Sequence, residues 1–266
     1  MRTLLLRSAT AIVTTSFLAI PITAFHRSHQ LANNNSQTTT TPHNKNNNNI
    51  SALKMSTPTS YPELVVYDMD ACLWDQEMYT MSSLPSKKIM GDLNGRGEGV
   101  IGVMSGRDQI SLHQGSLLSL QEHHDKKYPG MKIAMASSAD TPFAEKVGRA
   151  SLQMLEVVPG VTVWDLCMRD WNGQDVNQIG RQPPLSSNKA ATHFPFLRKL
   201  TGVRYDRMLF FDDCNWGDHC GMVERGCKEE DSDVGPVTVR TPRGLGEKEW
   251  YQGLEKYAAR IANDGT

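Results

Sequence analysis

Short, continuous apolar runs recur along the chain from residue 63 onward. Four of them are typical of strands that are buried on both faces of a sheet. These four runs cover residues 63–68, 131–137, 207–211 and 236–239. A fifth run at 161–167, V-T-V-W-D-L-C, is interpreted as one more strand of the same kind.

Two other segments carry apolar residues at helical spacing. The first begins after Thr141-Pro142, a helix cap followed by a first-turn proline, and the second lies near the C-terminus. Both stripes are interpreted as helix faces that pack against a sheet and not as cofactor sites. The stripe positions are Phe143, Val147, Ala150, Met154 and Leu155, and then Trp250, Leu254, Tyr257, Ala258 and Ile261.

Strands that alternate with amphipathic helices predict an α/β fold, a Rossmann-like three-layer sandwich with a mainly parallel sheet. Ligands of such sheets bind beyond the carboxyl ends of the strands. The segment 75–110 lacks sustained helical periodicity and is rich in glycine, so it predicts a small flap of hairpins and turns instead of a helical cap. We therefore expect a capless domain with an exposed cleft.

Charge divides the chain into two parts. Residues 1–62 contain five basic and no acidic residues, whereas the remainder contains 23 basic and 29 acidic residues. Within the acid-free part, residues 1–30 begin with basic residues, continue with a short apolar stretch and then reach small residues at the expected cleavage point. This order is typical of a signal or targeting segment. The Asn/Thr-rich tract 31–62 has no hydrophobic periodicity and is interpreted as a disordered linker or transit region. A folded domain is predicted at 63–266.

The acid-free segment also bears on the compartment. An apolar stretch, Phe25 at the expected cleavage point and a basic, hydroxyl-rich tract resemble the signal-plus-transit presequences of complex plastids. Plastid targeting is favoured, while secretion, mitochondrial import and a simple membrane anchor stay open. No apolar run approaches the roughly 20 residues of a membrane helix, so no span is expected in the mature chain. A net charge of −1 gives no reason to expect nucleic acid as a partner.

The number and spacing of the cysteines argue against a disulfide-rich protein and against a zinc protein. The chain has five cysteines, an odd number, and no pair is spaced C-x-x-C. This pattern favours neither a disulfide framework nor a zinc site. The cluster of Cys214, Cys220 and Cys227 near His219 is interpreted as ordinary buried thiols.

Polar residues follow three of the predicted strands. Four carboxylates at one sheet edge repel each other unless a cation lies among them, and oxygen ligands of this kind suit Mg²⁺. Such a site also requires a fixed cation and a hydroxyl to bind a phosphate, which Lys189 and Ser137 can supply. The strand-end residues are Asp68 and Asp70 after the first strand, Ser137 and Ser138 after the second, and Asp212 and Asp213 after a later one.

These motifs occur in the order of motifs I to IV of the haloacid dehalogenase-like (HAD) phosphatases and resemble them. Three stretches are similar to the magnesium-dependent phosphatase 1 family in particular. They are Y-D-M-D-A-C-L-W at 67–74, K…T-H-F at 189–194 and M-L-F-F-D-D-C-N at 208–215. The resemblance covers about residues 63–262.

The resemblance implies a two-step reaction at an Mg²⁺ site. Asp68 is then the nucleophile that forms an aspartyl-phosphate, and Asp70 protonates the leaving oxygen and later activates water. The Mg²⁺ is expected on Asp68, the backbone carbonyl of Asp70 and Asp213. Asp212 is expected beside these ligands, without direct contact to the metal.

The same resemblance implies that Ser137, Ser138 and Lys189 bind the phosphoryl group. The sequence departs from the family at two positions, with Cys72 where threonine is usual and Ser138 where arginine is common. A thiol is a weaker hydrogen-bond donor than a hydroxyl, so Cys72 is expected to loosen the loop of Asp70. The serine removes one cation from the site.

The predicted function is Mg²⁺-dependent hydrolysis of phosphomonoesters by a monomer. Its substrate is expected to be a phosphoprotein, of the phosphotyrosine kind, or a small sugar phosphate. The alternative is a catalytically weak phosphate- or phosphoprotein-binding module on the same fold. A mutase that transfers the phosphoryl group to a sugar is disfavoured because no cap excludes water.

Overall fold

The computed structural model describes residues 60–264. The predicted targeting segment 1–30 and the predicted linker 31–62 lie outside the described residues, apart from residues 60–62. The strands are β1 Leu64–Tyr67, β2 Lys87–Asp92, β3 Glu98–Ser105, β4 Asp108–Ile110, β5 Lys132–Ser137, β6 Glu156–Val158, β7 Val161–Thr162, β8 Gln178–Ile179, β9 Met208–Asp212 and β10 Val237–Arg240. The helices are α1 Gln114–His124, α2 Pro142–Leu152, α3 Val163–Asp170, α4 His193–Thr201, α5 His219–Gly226 and α6 Glu247–Asp264, with 3-10 turns at Met78–Thr80 and Tyr205–Arg207.

The central sheet has five strands in the order β10-β9-β1-β5-β8. Every neighbouring pair in it is parallel. In the middle of the sheet, Val65 lies in register with Ile133 on one side and Leu209 on the other. The predicted parallel α/β sheet is therefore confirmed, and its four predicted apolar runs form β1, β5, β9 and β10.

Side chains of β1 alternate between the two faces of the sheet, as the pleat of a strand requires. Val65 and Tyr67 pack in one core cluster with residues of α1, α2, α3 and α6. Leu64 and Val66 pack in a second cluster with residues of α4 and α5. Helices on both faces confirm the three-layer prediction. None of the helices within residues 60–264 is long and apolar enough to cross a membrane.

The prediction of a strand at 161–167 is wrong. Only Val161–Thr162 is extended, and it pairs with β6 in a small antiparallel hairpin. The chain then enters α3 because a capping box starts the helix there: Asp165 N–H donates to Thr162 Oγ1 (3.1 Å), and Thr162 N–H donates to Asp165 Oδ2 (2.9 Å). The fifth strand of the central sheet is β8, two residues long, which lies beside the end of β5.

The segment 75–110 forms a three-stranded antiparallel sheet, β2-β3-β4, with no α-helix. Val100, Val103 and Ile110 are buried in the first core cluster, so this sheet packs on the body of the domain. The predicted flap in place of a helical cap is therefore confirmed.

Candidate active site

Asp68 and Asp70 lie just beyond the carboxyl end of β1. Asp68 extends the ladder, since its N–H donates to Phe211 O (2.9 Å). The chain then turns sharply through Ala71, which has a φ of 52°, and Trp74 Nε1–H donates to Asp70 Oδ1 (3.1 Å). Burial raises the pKa of Asp70 to about 7. Asp70 therefore exists in both protonation states near neutral pH, as a residue that alternates between acid and base requires.

Asp212 and Asp213 occupy the equivalent position at the end of β9, the strand beside β1. The turn that follows has Cys214 at a φ of 56°, and it aims backbone N–H groups at both carboxylates. Cys214 N–H donates to Asp212 Oδ1 (2.8 Å), and Asn215 N–H donates to Asp213 Oδ2 (3.0 Å). His219 Nδ1, at the start of α5, lies 3.2 Å from Asp212 Oδ2.

Lys189 joins the two strand ends. Its Nζ lies 2.7 Å from Asp68 Oδ1 and 2.6 Å from Asp212 Oδ2, and the side chain is 1% exposed. Burial by itself lowers the pKa of Lys189, but the two carboxylates outweigh burial and hold this pKa above its usual value. In the same way, burial raises the pKa of Asp212, whereas Lys189 and His219 bring it below its usual range. The lysine is thus a permanent cation bound to two anions.

Asp68, Asp212 and Asp213 form a candidate metal centre, because ligand oxygens of all three lie within 4.8 Å of one another. Burial raises the pKa of Asp68 and of Asp213, and the neighbouring carboxylates raise both further. When ionised, the three carboxylates exceed the single charge of Lys189 by two, which a divalent cation would neutralise. The donors are all oxygen, as Mg²⁺ prefers, so the residues present fit Mg²⁺. The side chain of Asp70 lies outside this cluster.

Ser137 is the last residue of β5, and Ser138 follows it. In the sheet, β5 lies beside β1 on the side opposite β9. The Ser137 carbonyl accepts from Gly180 N–H (2.8 Å) and lies 3.1 Å from His193 Nε2. Burial, aided by the charge of Lys189, lowers the pKa of His193 to about 4 and keeps the imidazole neutral. Ser138 Oγ is buried and has no hydrogen-bond partner within the described residues. A buried hydroxyl without a partner is free to bind a ligand oxygen.

The structure brings the predicted site residues to one edge of the sheet, around a cavity of about 420 Å³. Asp212 does not line the cavity: it is 0% exposed and lies behind Lys189. Within the segment 75–110, Glu77 and Tyr79 line the cavity, whereas none of the described residues of the sheet β2-β3-β4 does. The predicted residues that line it are Asp68, Asp70, Ser137, Ser138, Lys189 and Asp213.

The rim of the cavity contains residues beyond those predicted to act in catalysis, metal binding or phosphate binding. Tyr79 is 49% and Trp216 76% exposed, and their rings meet edge to face with centroids 6.4 Å apart. Glu77 accepts a hydrogen bond from Trp216 Nε1–H (3.1 Å). Glu77 and Tyr79 follow the D-x-D motif closely, and that proximity was a usable signal. Arg181 also lines the cavity, and no sequence pattern marks it.

All five cysteines are free thiols, and all but Cys214 are buried. Burial confirms the interpretation of Cys220 and Cys227, while Cys214 is partly exposed.

Cys72 is 0% exposed, and its Sγ accepts a hydrogen bond from Thr241 Oγ1–H (3.2 Å). The thiol therefore has a defined contact that ties the loop after β1 to the segment after β10.

A parallel α/β sheet whose carboxyl edge gathers buried aspartates around one lysine fits the HAD-like domain that the sequence motifs predict. The acid phosphatase family matches residues 60–260, most of the chain, and the chain belongs to this family. A search of curated proteins finds no match.

Among solved structures, the chain is similar to the N-terminal part of a Bacteroides fragilis protein that contains a phosphatase domain, solved in complex with Mg. The two are 17% identical, the alignment covers 74% of this chain and 40% of that chain, and the TM-score is 0.36. This chain thus spans less than half of that protein's length. So distant a superposition carries no argument about the site.

Proposed function

We propose that this protein is a Mg²⁺-dependent phosphomonoester hydrolase of the magnesium-dependent phosphatase 1 type, and that it acts through an aspartyl-phosphate. One observation carries the proposal. Lys189 Nζ contacts both Asp68 and Asp212, and a carboxylate oxygen of Asp213 lies within 4.8 Å of an oxygen of each of these two residues. Asp70, two residues after Asp68, adds a carboxyl group whose pKa is raised to about 7. A binding module needs no such pair of nucleophile and acid.

In the first step, a carboxylate oxygen of Asp68 attacks phosphorus. The bond between phosphorus and the leaving oxygen breaks, and protonated Asp70 gives its proton to that oxygen. In the second step, Asp70 takes a proton from a water molecule whose oxygen attacks phosphorus. The bond from Asp68 to phosphorus breaks, inorganic phosphate leaves, and Asp70 is protonated again.

The remaining residues position the groups and offset charge, which is most of what phosphoryl transfer requires. Asp68, Asp213 and the backbone carbonyl of Asp70 are the proposed ligands of Mg²⁺. When bound, Mg²⁺ supplies positive charge that stabilises the transferring phosphoryl oxygens. Lys189 holds Asp68 in place through the contact of 2.7 Å, and Asp212 holds Lys189. Ser137, Ser138 and Lys189 are proposed to bind the phosphoryl group.

The open cleft supports two substrate classes, a phosphorylated protein side chain of the phosphotyrosine kind and a small sugar phosphate. We expect a protein side chain to enter because, of the segment 75–110, only Glu77 and Tyr79 line the cavity. The exposed rings of Tyr79 and Trp216 offer an apolar surface to the flat aromatic ring of a phosphotyrosine or to the C–H face of a sugar. A panel of aryl phosphates, phosphopeptides and sugar phosphates would rank the two classes by kcat/KM.

The reaction class is tested with p-nitrophenyl phosphate. We expect hydrolysis with Mg²⁺, none with EDTA, and a loss of more than about 1000-fold in Asp68→Asn, because the amide cannot form the aspartyl-phosphate. Asp108→Asn, an exposed position on the flap, serves as the control and keeps full activity. A folded wild type that binds Mg²⁺ and phosphate but hydrolyses no phosphomonoester would instead favour the phosphate-binding module.

We also propose that the acid-free residues 1–62 direct the protein to a plastid through a signal and a transit part. The support is compositional: five basic residues, no acidic residue and a short apolar segment. A fluorescent protein fused after residue 62 is expected to accumulate in plastids. Accumulation in the secretory pathway or in mitochondria would replace the plastid assignment.

A further inference from the structure

The positive charges of the proposed active site are largely offset by its own carboxylates, and this balance points to a further phosphate-binding residue. Lys189 is already bound by two carboxylates, Asp68 and Asp212. When these two carboxylates and Asp213 are ionised, they carry three negative charges, so Lys189 and a divalent cation together only bring the cluster to neutrality. A phosphate monoester dianion therefore enters a neutral site, and its charges need a further partner.

Arg181 is the one other permanent cation among the described residues that line the cavity. Its side chain is 43% exposed, and its guanidinium offers five N–H donors in the planar arrangement that matches phosphate oxygens. None of its donors contacts Asp68, Asp212 or Asp213 in the ion pairs of the structure. Its charge is thus available to a ligand, unlike that of Lys189.

The backbone fixes Arg181 beside the phosphate-binding serines. In the parallel pair of β5 and β8, Ser137 lies opposite Ile179, so the two strand ends emerge side by side. Gly180 N–H donates to Ser137 O (2.8 Å). The neutral His193 reaches both ends, with Nε2 lying 3.1 Å from Ser137 O and 3.0 Å from Gly180 O. The residue after Gly180 is therefore held next to Ser138.

Side chains in the adjoining loop then hold the guanidinium at the cavity. Asp140 Oδ2 lies 3.5 Å from the Arg181 guanidinium, and Gln182 Nε2–H donates to Asp140 O (3.1 Å). A single contact of this length orients the arginine and leaves most of its donors free. Ser138 Oγ and Asp140 Oδ1 are buried without hydrogen-bond partners within the described residues. The loop therefore presents two buried polar atoms without hydrogen-bond partners in the described residues, close to an arginine that pairs with one carboxylate.

We propose that Arg181 binds the phosphoryl oxygens of the substrate and of the product phosphate, together with the hydroxyl of Ser138. Asp140 is a positioning residue, which orients Arg181 without touching the phosphate. This inference rests on the proposed phosphatase function, because it assumes a phosphate at Asp68. It assigns the charge that recognises the dianion to the segment just after β8, which carries no sequence motif.

The test compares Arg181→Gln and Arg181→Lys with Arg169→Gln in the full-length protein. Arg169 is a matched control, since it is 41% exposed and 3.8 Å from a carboxylate but does not line the cavity. Binding of inorganic phosphate in the presence of Mg²⁺ is measured by calorimetry, and kcat and KM are measured with p-nitrophenyl phosphate. Thermal unfolding checks that each variant is folded.

We expect Arg181→Gln to weaken phosphate binding and to raise KM by about tenfold each, with a smaller change in kcat. Arg181→Lys is expected to fall between this variant and the wild type, because it keeps the charge and loses the planar arrangement of donors. Arg169→Gln is expected to behave as the wild type. Unchanged phosphate affinity in folded Arg181→Gln would overturn the inference, as would an equal loss in Arg169→Gln.

Failure of the proposed function gives a different result. A wild type that binds phosphate without hydrolysing the ester would overturn the hydrolase proposal, and the phosphate affinity of Arg181→Gln would still decide the role of Arg181. A wild type that neither binds phosphate nor hydrolyses the ester would overturn both.

Discussion

Glu122 and Asp68 are both buried carboxylates, but the groups that surround them differ. Glu122, on α1, accepts hydrogen bonds from Tyr128 Oη (2.9 Å), Trp250 Nε1 (2.8 Å) and Tyr251 Oη (2.7 Å), and it pairs with Lys127. Burial raises the pKa of Glu122, but these donors outweigh burial and lower it overall. The carboxylate is therefore stable as an anion without any ligand.

Asp68 is in the opposite condition. It shares a single lysine with Asp212, and Asp213 lies close by, so burial and like charges raise the pKa of Asp68 overall. A protein that buries carboxylates without enough donors has placed them for a cation or a reaction and not for stability. The comparison teaches that the number of donors around a buried acid, more than its burial, separates a structural site from a functional one.

The largest expected effect comes from removing the shared lysine. Lys189→Met leaves Asp68 and Asp212 buried without a cation, so we expect the free energy of unfolding to fall by about 3–5 kcal/mol. Urea unfolding in EDTA measures this loss, and added Mg²⁺ should recover part of it by neutralising the same carboxylates. A loss below about 1 kcal/mol would break the comparison, because Lys189 would then be no more important to the fold than a surface residue.

The pH dependence of stability comes next, through His193. Its pKa is lowered to about 4 in the folded protein from a usual value of 6.5, so above pH 6.5 the imidazole is neutral in both states and its burial has no pH-dependent cost. As pH falls from 6.5 toward 4, unfolded chains bind a proton that the folded protein excludes. We expect a loss of up to about 3 kcal/mol over this window. A His193→Gln variant should show a flatter profile between pH 6.5 and 5, and an equal slope would contradict the assignment.

The smallest effects have opposite signs in the two acidic regions. Glu122→Gln should lower the free energy of unfolding by about 2 kcal/mol and leave kcat/KM unchanged, because it disturbs satisfied hydrogen bonds far from the cavity. Asp213→Asn should raise the free energy of unfolding in EDTA by about 1 kcal/mol, because it relieves like-charge repulsion. It should also abolish the stabilisation by Mg²⁺. Denaturation of both variants with and without Mg²⁺ measures these changes in the free energy of unfolding. If the free energy of unfolding of Asp213→Asn in EDTA were lower than that of the wild type, the Asp213 carboxylate would be a structural group.

Local sequence was sufficient wherever the signal lies within one element. Four strands were found because each is a continuous apolar run, and the helix at 142–152 because it has a cap and an apolar stripe. Helix α1 was missed because its buried face contains polar residues, among them Ser119, Gln121 and Glu122. Their hydrogen-bond partners come from distant segments, so no stripe reveals the helix. β8 was missed because two residues are too short to show a pattern.

The sequence by itself determined that acids and serines follow buried strands, and hence that they meet at the carboxyl edge of a parallel sheet. Only the tertiary structure decided how the side chains pair: which carboxylates share Lys189, that Arg181 and Ser138 line one cavity, and that Glu122 accepts hydrogen bonds from three aromatic side chains. Order along a strand is a covalent property and can be read from the chain. Charge–charge energies depend on distances between residues that are remote in sequence, and the packing of strands and helices sets those distances.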